Sequence, residues 1–129
     1  MTLSGRKWLN PTRVLVSYRT FPFGWAFRPI LDPVTGQEPA WPPVDVIVGN
    51  PPFLGSKFHL RRLGGDYVQK LRAAYAGRVP PGADLVCYWF EKARAMAAGG
   101  EVRRIGLLAT KSIANAEPSR QVLDRIVAA

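Results

Sequence analysis

Four consecutive residues, Asn50-Pro51-Pro52-Phe53, bring together an amide side chain, main-chain carbonyls whose directions proline restricts, and an aromatic ring. They follow Val44-Asp45-Val46-Ile47-Val48-Gly49, a short β-branched run that reads as a strand covered on both faces in a parallel sheet. Gly49 frees the backbone, and Pro51-Pro52 cannot donate to a ladder, so the strand must stop here. The four residues are thereby presented at the carboxyl end of a strand, where ligands bind in open α/β sheets. The plainer reading of the same residues is a strand-ending turn with Phe53 as a core plug.

Asn50-Pro51-Pro52-Phe53 resembles the (Asn/Asp/Ser)-Pro-Pro-(Tyr/Phe) motif of the S-adenosylmethionine-dependent methyltransferases that modify exocyclic amino groups of bases in DNA. The resemblance implies a catalytic role for each residue. An adenine or cytosine amino group is a poor nucleophile because its lone pair is delocalised into the ring. The Asn50 side-chain oxygen and the Pro51 carbonyl would accept from its two N–H bonds and stabilise the charge that develops on the nitrogen. Pro52 would fix the turn, and Phe53 would stack a base flipped out of the duplex.

The likeness extends over residues 44 to 127. Beyond the tetrad it is carried by Ala83-Asp84-Leu85-Val86-Cys87-Tyr88-Trp89-Phe90-Glu91-Lys92-Ala93 and by Arg104-Ile105-Gly106-Leu107-Leu108-Ala109-Thr110-Lys111-Ser112-Ile113. Together these look like the catalytic half of large adenine-specific DNA methyltransferases, including fused restriction and modification enzymes. Where that family often has Asn or another polar residue after the later strand, this chain has Lys111.

That family also binds its cofactor through a Phe-x-Gly-x-Gly-like loop followed by an acidic residue for the ribose. Here the glycines before Asn50 are Gly5, Gly24, Gly36 and Gly49, none two apart, and Asp32 and Glu38 lie in a turn-like context. The resemblance therefore implies an α/β fold, a partial Rossmann-like methyltransferase sheet with flanking helices that lacks the N-terminal cofactor-binding strands. Residues 1–43 would form an irregular aromatic segment, and residues 44–129 the C-terminal half of a catalytic domain. It further implies S-adenosyl-L-methionine as methyl donor if the site is completed, DNA as partner, little activity alone, and a separate polypeptide supplying the missing half.

The elements that must position these residues are legible in part. Residues 13 to 18 alternate as a strand, and Phe21, Phe23, Trp25 and Phe27 fall at period two. Asp32-Pro33-Val34-Thr35-Gly36 reads as a turn, and Trp41 should pack on the sheet edge. Residues 54 to 65 read as a polar, basic loop in which His59 takes no catalytic part. Asp66 is expected to cap a helix that ends near Gly77, and Asp84 to open a longer one stopped by Gly99-Gly100. Ile105 to Ala109 should be a strand. Pro118 should begin a last helix with Val122, Leu123, Ile126 and Val127 on one side. The alternation suits a parallel α/β sheet.

Composition limits what such a site can use. The 129 residues contain one cysteine, Cys87, and one histidine, His59. An internal disulfide framework and the usual zinc constellations are thus out, and no metal is expected. With no apolar run of about 18 residues and no signal-peptide core in residues 1 to 8, a cytoplasmic protein with no membrane contact is expected. Net charge is +9, and 13 of the 18 basic residues are arginine. Such a balance suits a polyanionic partner.

Lys57, Arg61 and Arg62 would stand where a phosphate backbone passes if a base were flipped onto Phe53, so they are the candidate DNA contacts. A rival reading is a non-enzymatic basic remnant that grips nucleic acid through Lys57, Arg61, Arg62, Arg103 and Arg104 without cofactor. A third is methyl transfer to another planar amino group, in cytosine, RNA or a protein glutamine.

Overall fold

A computed structural model describes residues 14–17 and 29–128 of the chain. The aromatic run Phe21 to Phe27 and the residues before the first strand lie outside the described residues.

Among the described residues, three four-residue strands form one parallel sheet: β1 (Val14–Ser17), β2 (Val46–Gly49) and β3 (Arg104–Leu107), in the order β1-β2-β3. The strand before the tetrad therefore lies between the other two described strands. Val46 lies opposite Val14 and Arg104, and Gly49 opposite Ser17 and Leu107. A parallel pair needs a long crossover. Between β2 and β3 that crossover is a 3-10 turn (Ser56–Phe58) and the helices α1 (His59–Leu63), α2 (Gly65–Ala74) and α3 (Val86–Ala98). After β3 come α4 (Ser112–Asn115) and α5 (Glu117–Ala128). The class is α/β, as expected.

The core lies on one side of the sheet. Ile47 is 1% exposed and belongs to a buried cluster with Val44, Trp41, Leu71, Tyr75, Val86, Tyr88, Trp89 and Val122. Val48, with its side chain on the opposite face, is 38% exposed. The expectation of a strand covered on both faces is thus corrected: β2 alternates, with Ile47 buried in a cluster with Val86 and Tyr88 of α3 and Val122 of α5 while Val48 is exposed.

Trp41 is buried in the core cluster. Its Nε1 donates to the Pro29 carbonyl at 2.8 Å, and Lys92 Nζ stands 5.0 Å from its ring centroid.

Several boundaries differ from expectation for identifiable reasons. Residues 54 to 65 are not a loop. A 3-10 turn and the five-residue α1 run through them, too short to leave a periodic signal, and Gly64 at φ +85° separates α1 from α2. Asp66 does not cap α2. It lies in the first turn, where a carboxylate suits the helix dipole, and pairs with Lys70 at 3.1 Å.

Asp84 does act at the start of α3, where its Oδ1 accepts from the Val86 amide at 3.0 Å. Gly100, at φ +77°, ends that helix as expected. β3 stops at Leu107 rather than Ala109, after which the Leu108 amide still reaches the Gly49 carbonyl at 3.1 Å. On α5, Val122 is buried while Val127 faces solvent, so the expected apolar side is one residue narrower.

Candidate functional site

The tetrad is held from both sides. Pro51 is fully buried, Pro52 half-buried, Asn50 exposed, and Phe53 39% exposed, so Phe53 is not a core plug. Leu54 is then clamped by three hydrogen bonds. Its amide donates to Asp84 Oδ1 at 3.1 Å, and its carbonyl accepts from the Leu85 amide at 2.9 Å and from His59 Nε2 at 2.8 Å. A carbonyl can only accept, so the proton of a neutral His59 ring is on Nε2. His59 is completely buried, and its Nδ1 has no hydrogen-bond partner. The histidine that composition left without a role thus packs beneath the segment that carries Phe53.

Beside Phe53 lies a cleft of ≈ 290 Å³ whose walls include Pro52, Leu63, Tyr67, Leu85 and Trp89, with Arg62 among the lining residues. Burial raises the Tyr67 pKa, so its hydroxyl stays protonated at neutral pH. An apolar, aromatic cavity with one guanidinium suits a planar ring that carries a negative group. Asn50 does not line this cleft. It stands exposed one proline away, at the end of β2.

The candidate DNA contacts divide. Arg62 shares the cleft with Phe53. Lys57 and Arg61 are exposed and both lie over the Phe58 ring, at 5.1 and 5.6 Å from its centroid. Lys57 also lines a neighbouring cleft of ≈ 270 Å³ with Ser56, Asp84, Ser112 and Ser119. Arg103 and Arg104 do not join them. Their amides reach the Asp45 carbonyl at the start of β2, and strands rising about 3.3 Å per residue put that end roughly 10 Å from Gly49.

A charge cluster in the helix layer escaped the reading of the sequence. Glu91, on α3, is 0% exposed and accepts from Arg78 Nε at 2.9 Å, Arg94 Nε at 2.7 Å and Arg125 Nη1 at 3.3 Å. Arg78 also grips Glu38, at 2.8 Å from Nη1 to Oε2. Burial pulls the Glu91 pKa upward, but the hydrogen bonds and charges of Arg94 and Arg78 outweigh it and leave the carboxyl below its ordinary value. Lys92 donates to the Pro39 carbonyl, and burial lowers its pKa against the pull of Glu38. The hint in the sequence was Glu91, Lys92 and Arg94 inside a helix whose other residues are mainly apolar.

Among the described residues no group of three His, Cys, Asp or Glu side chains could hold a metal ion. Among them too, no helix is long and apolar enough to cross a membrane. The segment that follows β1 lies outside the described residues, and Gly24 is its single glycine. Compared with protein-family models, curated proteins and solved structures, the chain matches none.

Proposed function

We propose that the chain carries the catalytic tetrad of an S-adenosylmethionine-dependent methyltransferase acting on the exocyclic amino group of adenine in DNA, within a Rossmann-like sheet. One observation carries this reading: Asn50-Pro51-Pro52-Phe53 lies at the carboxyl end of the parallel strand between the other two described strands, with Asn50 exposed and Phe53 on the wall of an aromatic cleft. Proline rigidity aims the Asn50 amide oxygen and the Pro51 carbonyl at the two N–H bonds of the target. Phe53 receives the flipped base, with Tyr67 and Trp89 nearby, and Arg62 meets the adjoining phosphate. Residues 1 to 49 contain no glycine-rich cofactor loop, so on this reading the cofactor site is completed by residues outside that stretch.

The exposed Lys57 and Arg61 also support a second reading, a non-enzymatic module that binds nucleic acid by charge. A transfer assay separates the two. Purified chain is mixed with extract of its own cell, labelled S-adenosylmethionine and duplex DNA. The first reading predicts label on adenine amino nitrogen that is lost with Asn50→Ala. The second predicts no such label, with duplex binding that falls steeply with salt. That binding should be insensitive to Asn50→Ala and weakened by Arg61→Ala combined with Arg62→Ala.

A further inference from the structure

A cleft of ≈ 300 Å³ opens on the helix layer, between the end of α2, residues 76–81 and α5. Three guanidiniums line it, from Arg72, Arg78 and Arg125, together with the Gln121 amide, and no carboxylate does. The acids that serve these arginines stand apart from the lining: Glu91 is buried beneath Arg78 and Arg125, and Glu38 holds Arg78. Arg125 is anchored further by its Nη1 bond to the Arg78 carbonyl at 2.8 Å. Two of the three guanidiniums are therefore fixed before any ligand arrives, while remaining 30% and 39% exposed. Arg72 is the exception, since its Nε is shielded from solvent and has no hydrogen-bond partner. A shielded, unused cationic donor beside two fixed guanidiniums is a deficit that an anion with several acceptor oxygens would fill.

We propose that this cleft binds a phosphate or phosphate ester through Arg72, Arg78 and Arg125. Planar guanidiniums match phosphate oxygens in pairs, and a lining of three arginines with no carboxylate facing the cleft favours an anion over a cation or a neutral ligand. The proposal does not rest on the methyl-transfer reading, since none of residues 50 to 63 lines this cleft.

Calorimetric titration with inorganic pyrophosphate at low ionic strength tests it. The expected result is saturable binding of one pyrophosphate, weakened about tenfold by Arg72→Gln. Gln121→Glu, which places a negative charge in the cleft from an exposed position and leaves the arginines intact, should weaken it similarly. Either variant is read only with a ligand-free melting temperature equal to wild type, so that loss of fold is not scored as loss of the site. Arg61→Gln, outside the cleft, should bind pyrophosphate as wild type does. Absence of saturable heat from the wild type overturns the proposal, as does an equal loss in Arg61→Gln, which would mark diffuse surface charge. Displacement of pyrophosphate by a duplex oligonucleotide would identify a nucleic-acid backbone as the source of the phosphate. A duplex that leaves pyrophosphate bound would identify a small phosphate compound.

Discussion

Asp84 holds the segment that carries Phe53: its Oδ1 accepts from the Leu54 amide at 3.1 Å while also accepting from the Val86 amide at the start of α3. One carboxylate oxygen thus joins the end of the tetrad to a helix 30 residues away in sequence. Asp84→Ala leaves two amides without an acceptor and should cost about 2 kcal/mol. Asp84→Asn keeps an oxygen acceptor and should restore most of it. Chemical denaturation of both variants measures the difference. Equal loss in both would show that charge, not acceptor geometry, holds the segment.

Glu91 anchors three arginines from a fully buried position. Glu91→Gln leaves those guanidiniums without their shared anion and should destabilise the fold by about 3 kcal/mol. The sign with pH follows from the lowered folded-state pKa. An unfolded glutamate titrates near about 4.3, so the contribution is full above that value and lost as pH falls through the lower folded value. Acid unfolding curves should therefore be less steep for Glu91→Gln than for wild type. Parallel curves would contradict this.

Tyr75 ties the end of α2 to the segment before β2, through a hydroxyl bond to the Ile30 carbonyl at 2.8 Å and an edge-on contact with Tyr88 at 5.1 Å. Tyr75→Phe keeps the ring and strands the carbonyl, which should cost about 1.5 kcal/mol. The drop should appear as a lower denaturation midpoint with an unchanged slope.

Cys87 is buried and its thiol is pushed up to about 11 by burial. The thiolate is the reactive form, so iodoacetamide at neutral pH should label Cys87 only as fast as the protein opens. Labelling as fast in native protein as in denaturant would refute the packing described for α3.

What the sequence made legible is what local chemistry dictates. The Pro51-Pro52 stop, the Asp32 turn with its Oδ1 bonds to the Val34 and Thr35 amides, and the Gly100 end of α3 each follow from residues within a few positions. What stayed hidden depends on partners distant in the chain. The hold on the Leu54 amide needs Asp84, 30 residues on, and the Glu91 cluster needs Arg78 and Arg125 at separations of 13 and 34 residues. Short α1 had no second turn to show a period. Val48 looked like a core residue because β-branched runs give no clue to which face a helix layer will cover.

The proposed role of Asn50 in adenine methylation is open to measurement in the native cell. Asn50→Ala is introduced at the chromosomal locus, and N6-methyladenine is mapped across the genome by single-molecule sequencing. At least one sequence-specific methylation pattern present in wild type should disappear in the variant. Patterns identical in the two strains would contradict it.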